Sequence, residues 1–68
     1  MWIMITVLRD QGESLTRGDK VKFLNNTATV ESVVLYSEIA EIQLMLDVKC
    51  SLVKIDDVVE PFYLEQLG

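Results

Sequence analysis

The segment Ile39–Leu46 alternates apolar and polar side chains: Ala40, Ile42, Leu44 and Leu46 share one phase and Glu41 and Gln43 the other. A period of two is the pattern of a strand with one face buried and one face wet. Glu38, Ile39, Glu41, Ile42 and Met45 also show partial helical spacing, so a helix over Ser37–Leu46 is the rival reading. β-branched residues are frequent along the chain and turn signals recur at short intervals, which together predict short strands.

The first strand is expected over Trp2–Leu8, apolar on both faces and therefore buried on both sides, in a barrel or against a second subunit. Arg9–Arg17 reads as a polar loop that turns at Gly12 and is closed by Gly18-Asp19. Lys20–Leu24 alternates, with Val21 and Phe23 opposite Lys20 and Lys22. Asn25-Asn26 makes a tight hairpin, because Asn tolerates positive φ. From Thr27 to Tyr36, Ala28 and Val30 keep one phase while Val33 and Leu35 keep the other, so a bulge is expected near Ser32. Ser37-Glu38 turns the chain into Ile39–Leu46. A fifth strand is expected over Val48–Ile55, then a helical turn at Asp56-Asp57-Val58 and a last short strand at Phe62–Leu64. The expected fold is thus all-β, one small antiparallel barrel of five or six strands spanning 1–68.

A chain of 68 residues makes one domain. Half of it is apolar, enough to fill a small core and leave apolar surface for a partner. The net charge is −5, unevenly spread. Residues 1–30 carry Arg9, Arg17, Lys20 and Lys22 against Asp10, Glu13 and Asp19, giving +1; residues 31–68 carry Lys49 and Lys54 against eight carboxylates, giving −6. Histidine is absent, which removes the commonest general base and metal ligand. The single cysteine, Cys50, sits among apolar residues and reads as an inert buried thiol. No glycine-rich phosphate loop is present, and Asp56-Asp57 lacks the further ligands of a calcium loop. The chain is therefore expected to be a non-enzymatic binding module with no catalytic residue, metal or cofactor. One cysteine forms no internal disulfide, and the apolar start lacks the marks of a leader and is too short to span a membrane, so a cytoplasmic location is expected.

Arg17-Gly18-Asp19-Lys20-Val21-Lys22-Phe23, Ala28-Thr29-Val30-Glu31-Ser32-Val33, the alternating Glu38–Leu46 and Lys54-Ile55-Asp56-Asp57-Val58-Val59-Glu60-Pro61 together resemble a Src-homology-3-like small barrel of the KOW, Tudor or photosystem-subunit type. That resemblance covers about two thirds of the chain and implies binding to protein or nucleic acid. The N-terminal third also resembles the carbon storage regulator A family of dimeric RNA-binding proteins: Ile5-Thr6-Val7-Leu8-Arg9 leads into Gly12-Glu13-Ser14-Leu15 and then Gly18-Asp19-Lys20-Val21. This second resemblance implies RNA held between the first strand of one subunit and the fifth of the other. It places Arg9 on a first-strand arginine and Lys54 near the fifth-strand arginine, with Asp10 where a second basic residue is expected. Two binding expectations follow. The leading one is a protein partner, a homodimer among the forms it takes, with Trp2, Phe62 and Tyr63 as aromatic anchors. The alternative is RNA held by Arg9, Arg17, Lys20, Lys22 and Lys54, which requires those cations to share one face.

Overall fold

The computed structural model describes residues 2–47 and 61–67. They form β1 (Trp2–Leu8), α1 (Arg9–Glu13), β2 (Lys20–Phe23), β3 (Asn26–Leu35), β4 (Ile39–Leu46) and β5 (Glu65–Leu67). The five strands make one antiparallel sheet in the order β1-β4-β3-β2-β5. Ile39–Leu46 is a strand over its whole length, so the helical alternative is overturned. Ala40, Ile42, Leu44 and Leu46 are buried, as their alternation requires.

The phase change in β3 is a bulge: Val30 pairs with Leu44, but Ser32 pairs with Gln43, and the register shifts between them. Ala28 and Val30 before the shift are fully buried, and Val33 after it packs partly against the same core. One extra residue thus keeps both apolar sets on the inner face and bends the strand.

The β2–β3 hairpin closes one residue earlier than its sequence suggests. Phe23 pairs with Asn26, so the loop is Leu24-Asn25, with φ of 47° and 65°. Positive φ at both loop residues is the primed hairpin geometry that suits twisted strands. Asn25 accepts it readily, but for a branched apolar side chain such as Leu24 it costs about 1–2 kcal/mol. Exchanging Leu24-Asn25 for Asn-Gly is therefore expected to raise stability by about 1 kcal/mol, a rise of roughly 4–8 °C in the thermal midpoint for a domain this size. An unchanged or lowered midpoint in calorimetry would contradict the loop geometry.

The stretch expected as a polar loop contains α1, and Leu15 just beyond it is buried in the core. Gly18 (φ +94°) and Asp19 then fasten the chain to β3: Gly18 N–H donates to the Val30 carbonyl (2.8 Å), and Val30 N–H donates to the Asp19 carbonyl (2.9 Å). The Asp19 carboxylate accepts from Thr16 N–H (2.9 Å) and tightens the turn.

The core joins Ile5 and Val7 of β1 to Leu15, to Val21 and Phe23 of β2, to the inner residues of β3 and β4, and to Phe62 and Leu64. Phe62 meets Phe23 edge-on, with ring centroids 5.1 Å apart. The last strand is Glu65–Leu67, paired with β2, and not Phe62–Leu64. The Leu64 main chain is engaged by the Gln11 side chain, which takes the place of a neighbouring strand. No ladder joins β1 to β5 among the described residues. The two edges of the sheet communicate through Phe62, whose N–H donates to the Thr6 carbonyl (2.9 Å) in an isolated parallel bridge with Val7. The described residues thus form a five-stranded antiparallel sheet with one short helix, without the continuous closure expected of a barrel. The strand expected at Val48–Ile55, the turn at Asp56–Val58, Cys50 and Lys54 lie outside the described residues.

Candidate protein-binding surface

Alternation along β1 sends Ile5 and Val7 into the core and leaves Trp2, Met4 and Leu8 on the other side, 54%, 56% and 58% exposed. The expectation that β1 is covered on both faces is thus corrected within one chain: its outer face is open. Register extends that face across the sheet. Trp2 lies opposite Met45, Met4 opposite Gln43, Thr6 opposite Glu41 and Leu8 opposite Ile39; Val34 of β3 continues the row beyond Glu41. Val34 and Ile39 are also exposed. The one ionisable group on the outer side of β1 and β4 is Glu41, which accepts a hydrogen bond from the Tyr36 hydroxyl (2.7 Å). That bond, together with the carboxylate's negative charge, raises the Tyr36 phenol above its ordinary pKa.

A second surface lies at the end of β1. A cleft of about 650 Å³ runs between α1 and the segment 61–66, with Leu8, Asp10, Gln11 and Ser14 on one side and Phe62, Tyr63 and Glu65 on the other. Its two walls are tied together by side chains. Gln11 Oε1 accepts from Leu64 N–H (3.0 Å), Gln11 Nε2 donates to the Leu64 carbonyl, and Gln66 Nε2 donates to the Ser14 carbonyl (3.1 Å). Removing the Gln11 amide would leave both Leu64 main-chain groups without partners, at about 1–3 kcal/mol for unsatisfied part-buried groups. Gln11→Ala is expected to lose that much stability and to speed amide hydrogen exchange at Leu64. Unchanged exchange at Leu64 would show that the Gln11 bonds do not hold the segment.

The three expected aromatic anchors separate. Trp2 is half exposed on the outer face, and Tyr63 is 84% exposed on the cleft wall. Phe62 is only 7% exposed and belongs to the core, reaching the surface only where it lines the cleft. Among the described residues, the expected cations do not all fall on one element. Arg9 closes an ion pair with Glu13 (2.7 Å) and donates to the Tyr36 carbonyl. Lys20 donates to Thr29 Oγ1 (2.6 Å) and lies 3.5 Å from the Asp47 carboxylate. Arg9 ends β1, whereas Lys20 and Lys22 stand on β2, beyond β4 and β3 in the sheet. Arg17 projects from the loop before β2, and Lys54 lies outside the described residues.

Met4, Leu8, Val34 and Ile39 are surface residues that reading the chain as core-filling strands did not single out. The available signal was the second phase of β1, where Trp2, Met4 and Leu8 repeat at strand spacing although Ile3, Ile5 and Val7 already supply a buried face. Comparison of the chain with protein-family models, with curated proteins and with solved structures found no match in any of the three.

Proposed function

We propose that this chain is a non-enzymatic protein-binding module that works through the outer face of β1, β4 and β3. The observation that carries this reading is the row of Trp2, Met4 and Leu8, each more than half exposed and set in register with Met45 and Ile39. Scattered exposed apolar residues are ordinary on a protein surface, but several gathered on one sheet face, here in two groups on either side of Thr6 and Glu41, are characteristic of an interaction site. Trp and Met suit the role, since an indole supplies large rigid contact area and a thioether adapts to the shape it meets. The likeness to small Src-homology-3-type barrels is part of the same proposal, supported by Phe62 reaching across to Thr6 and Val7 at the opposite edge.

The test is a photoreactive side chain, p-benzoylphenylalanine, placed at position 4 and, as a control, at position 22. Irradiation in living cells is expected to give a discrete protein adduct from position 4 and none from position 22. The adduct should disappear when Trp2→Glu is added. No adduct from position 4 above the position 22 background would overturn the reading.

A further inference from the structure

Resting on that reading, we infer that the occupant of the outer face is a second copy of this chain, stacked sheet against sheet about a twofold axis. The exposed area matches this occupant. Trp2, Met4, Leu8, Val34 and Ile39 together leave on the order of 500 Å² of apolar side chain exposed, near the top of the ~300–600 Å² usual for a monomer's largest patch. A stable interface of standard size buries about 800 Å² on each partner, and about 65% of that is apolar in homodimers. The apolar part of such an interface is therefore about what this face leaves uncovered.

Charge favours it too. Each chain carries −5, so two copies repel wherever their acidic surfaces meet. The outer side of β1 bears Trp2, Met4, Thr6 and Leu8, with no charge, and that of β4 bears Ile39, Glu41, Gln43 and Met45, with one. Among the described residues, the rest of the acid lies off these two strands' outer side, and Glu41 is engaged by Tyr36. A basic partner would find little to pair with here. A second copy brings the same face with its single carboxylate, Glu41, so the self-contact buries apolar surface with only two carboxylates brought in, each held by its own Tyr36. The shape of a sheet face also permits it. Two sheets of the same twist stack face to face at about 10 Å with their side chains interdigitated, and a twofold contact needs only that one patch be complementary to itself.

Trp2 is the chain's only tryptophan, so its fluorescence reports this face directly. Sedimentation equilibrium of the full chain is expected to give twice the 7.7 kDa chain mass, with Trp2 emission shifted to the blue and moving to the red on dilution. Met4→Glu is expected to halve the mass and to leave Trp2 emission in its solvent-exposed position at all concentrations, with an unchanged far-UV spectrum. Tyr63→Glu, on the cleft wall, serves as the control and is expected to remain dimeric. Trp2→Phe gives a second sedimentation test that retains an apolar face, and is expected to keep the doubled mass. A monomer at several hundred micromolar, or a doubled mass that survives Met4→Glu in a folded protein, overturns the inference. The position 4 crosslink separates this failure from that of the underlying reading. An adduct of twice the chain mass supports the second copy. An adduct with a different protein and no self-adduct overturns the second copy and leaves a protein-binding face. No adduct overturns both.

Discussion

Gly12→Ala is expected to lower the unfolding free energy by about 2–3 kcal/mol, and Ala40→Gly to restore most of the loss in the double variant. A Cβ built on Gly12 would sit 2.3 Å from the Ala40 Cβ and 3.2 Å from Leu35 Cδ2. Leu35 can rotate its terminal methyl away. Ala40 cannot, because its Cβ is fixed to the backbone of β4, paired on one side with Val7 and on the other with Leu35. Something larger must move, and overpacking of that kind costs about 1–3 kcal/mol, occasionally more. Alanine also returns about 1 kcal/mol through its better helix propensity, so the steric term must exceed the net loss. Against a total stability of roughly 3–10 kcal/mol for a chain of this length, the variant comes close to the edge of folding. Urea titration of the parent, both single variants and the double variant gives the coupling directly. Independent effects that simply add would show that α1 does not sit on β4 at Gly12.

The same contact explains why α1 was not legible. A five-residue helix with a glycine inside it and no side-chain cap at Leu8 carries almost none of the local signals by which helices are recognised. It is held by tertiary packing: Gly12 lets the helix lie on Ala40, Leu15 plugs the core just beyond it, and Arg9 N–H donates to the Glu38 carbonyl (3.1 Å). The strands were legible for the opposite reason. In Ile39–Leu46 every second side chain is apolar, and a one-residue slip would expose the whole set, so pattern and register specify each other. The bulge at Val30/Ser32 was legible through the same rule, as the arrangement that turns both Ala28 and Val33 toward the core.

The proposed binding face was legible only in part. Trp2 could be named because an indole on a short strand attracts notice. Met4 and Leu8 could not, because an apolar residue in a strand reads as core until the sheet's topology shows which phase is covered. The hairpin was misplaced by one residue because Asn25 and Asn26 are equally fit for positive φ, and the ladder pairing Phe23 with Asn26 decides between them.

Phe62 and Tyr63 pose that problem most sharply, and substituting each in turn is expected to separate them by several kcal/mol. The two aromatics follow Pro61 with no alternation behind them to set a phase, so sequence alone treats them as a pair. In the structure Phe62 is buried, edge-on to Phe23, and its N–H holds the Thr6 carbonyl; Tyr63 is among the most exposed large side chains of the described residues. Phe62→Ala deletes a buried ring and leaves a cavity between β1, β2 and the terminal segment, a change that costs about 3–5 kcal/mol. The lost edge-to-face contact with Phe23 accounts for roughly 0.5–1.5 kcal/mol of that. Tyr63→Ala removes a ring that packs on little and should change stability by less than about 0.5 kcal/mol. Phe62→Leu, which refills most of the volume, is expected to fall between them. Because a dimer's apparent stability rises with concentration, all four proteins must be unfolded at one chain concentration. A Phe62→Ala protein within 1 kcal/mol of its parent would mean that the ring is not part of the core. The segment bridging the two sheet edges would then be fastened by its main-chain bonds to Thr6 and β2 and by the Gln11 and Gln66 side chains, without help from the ring.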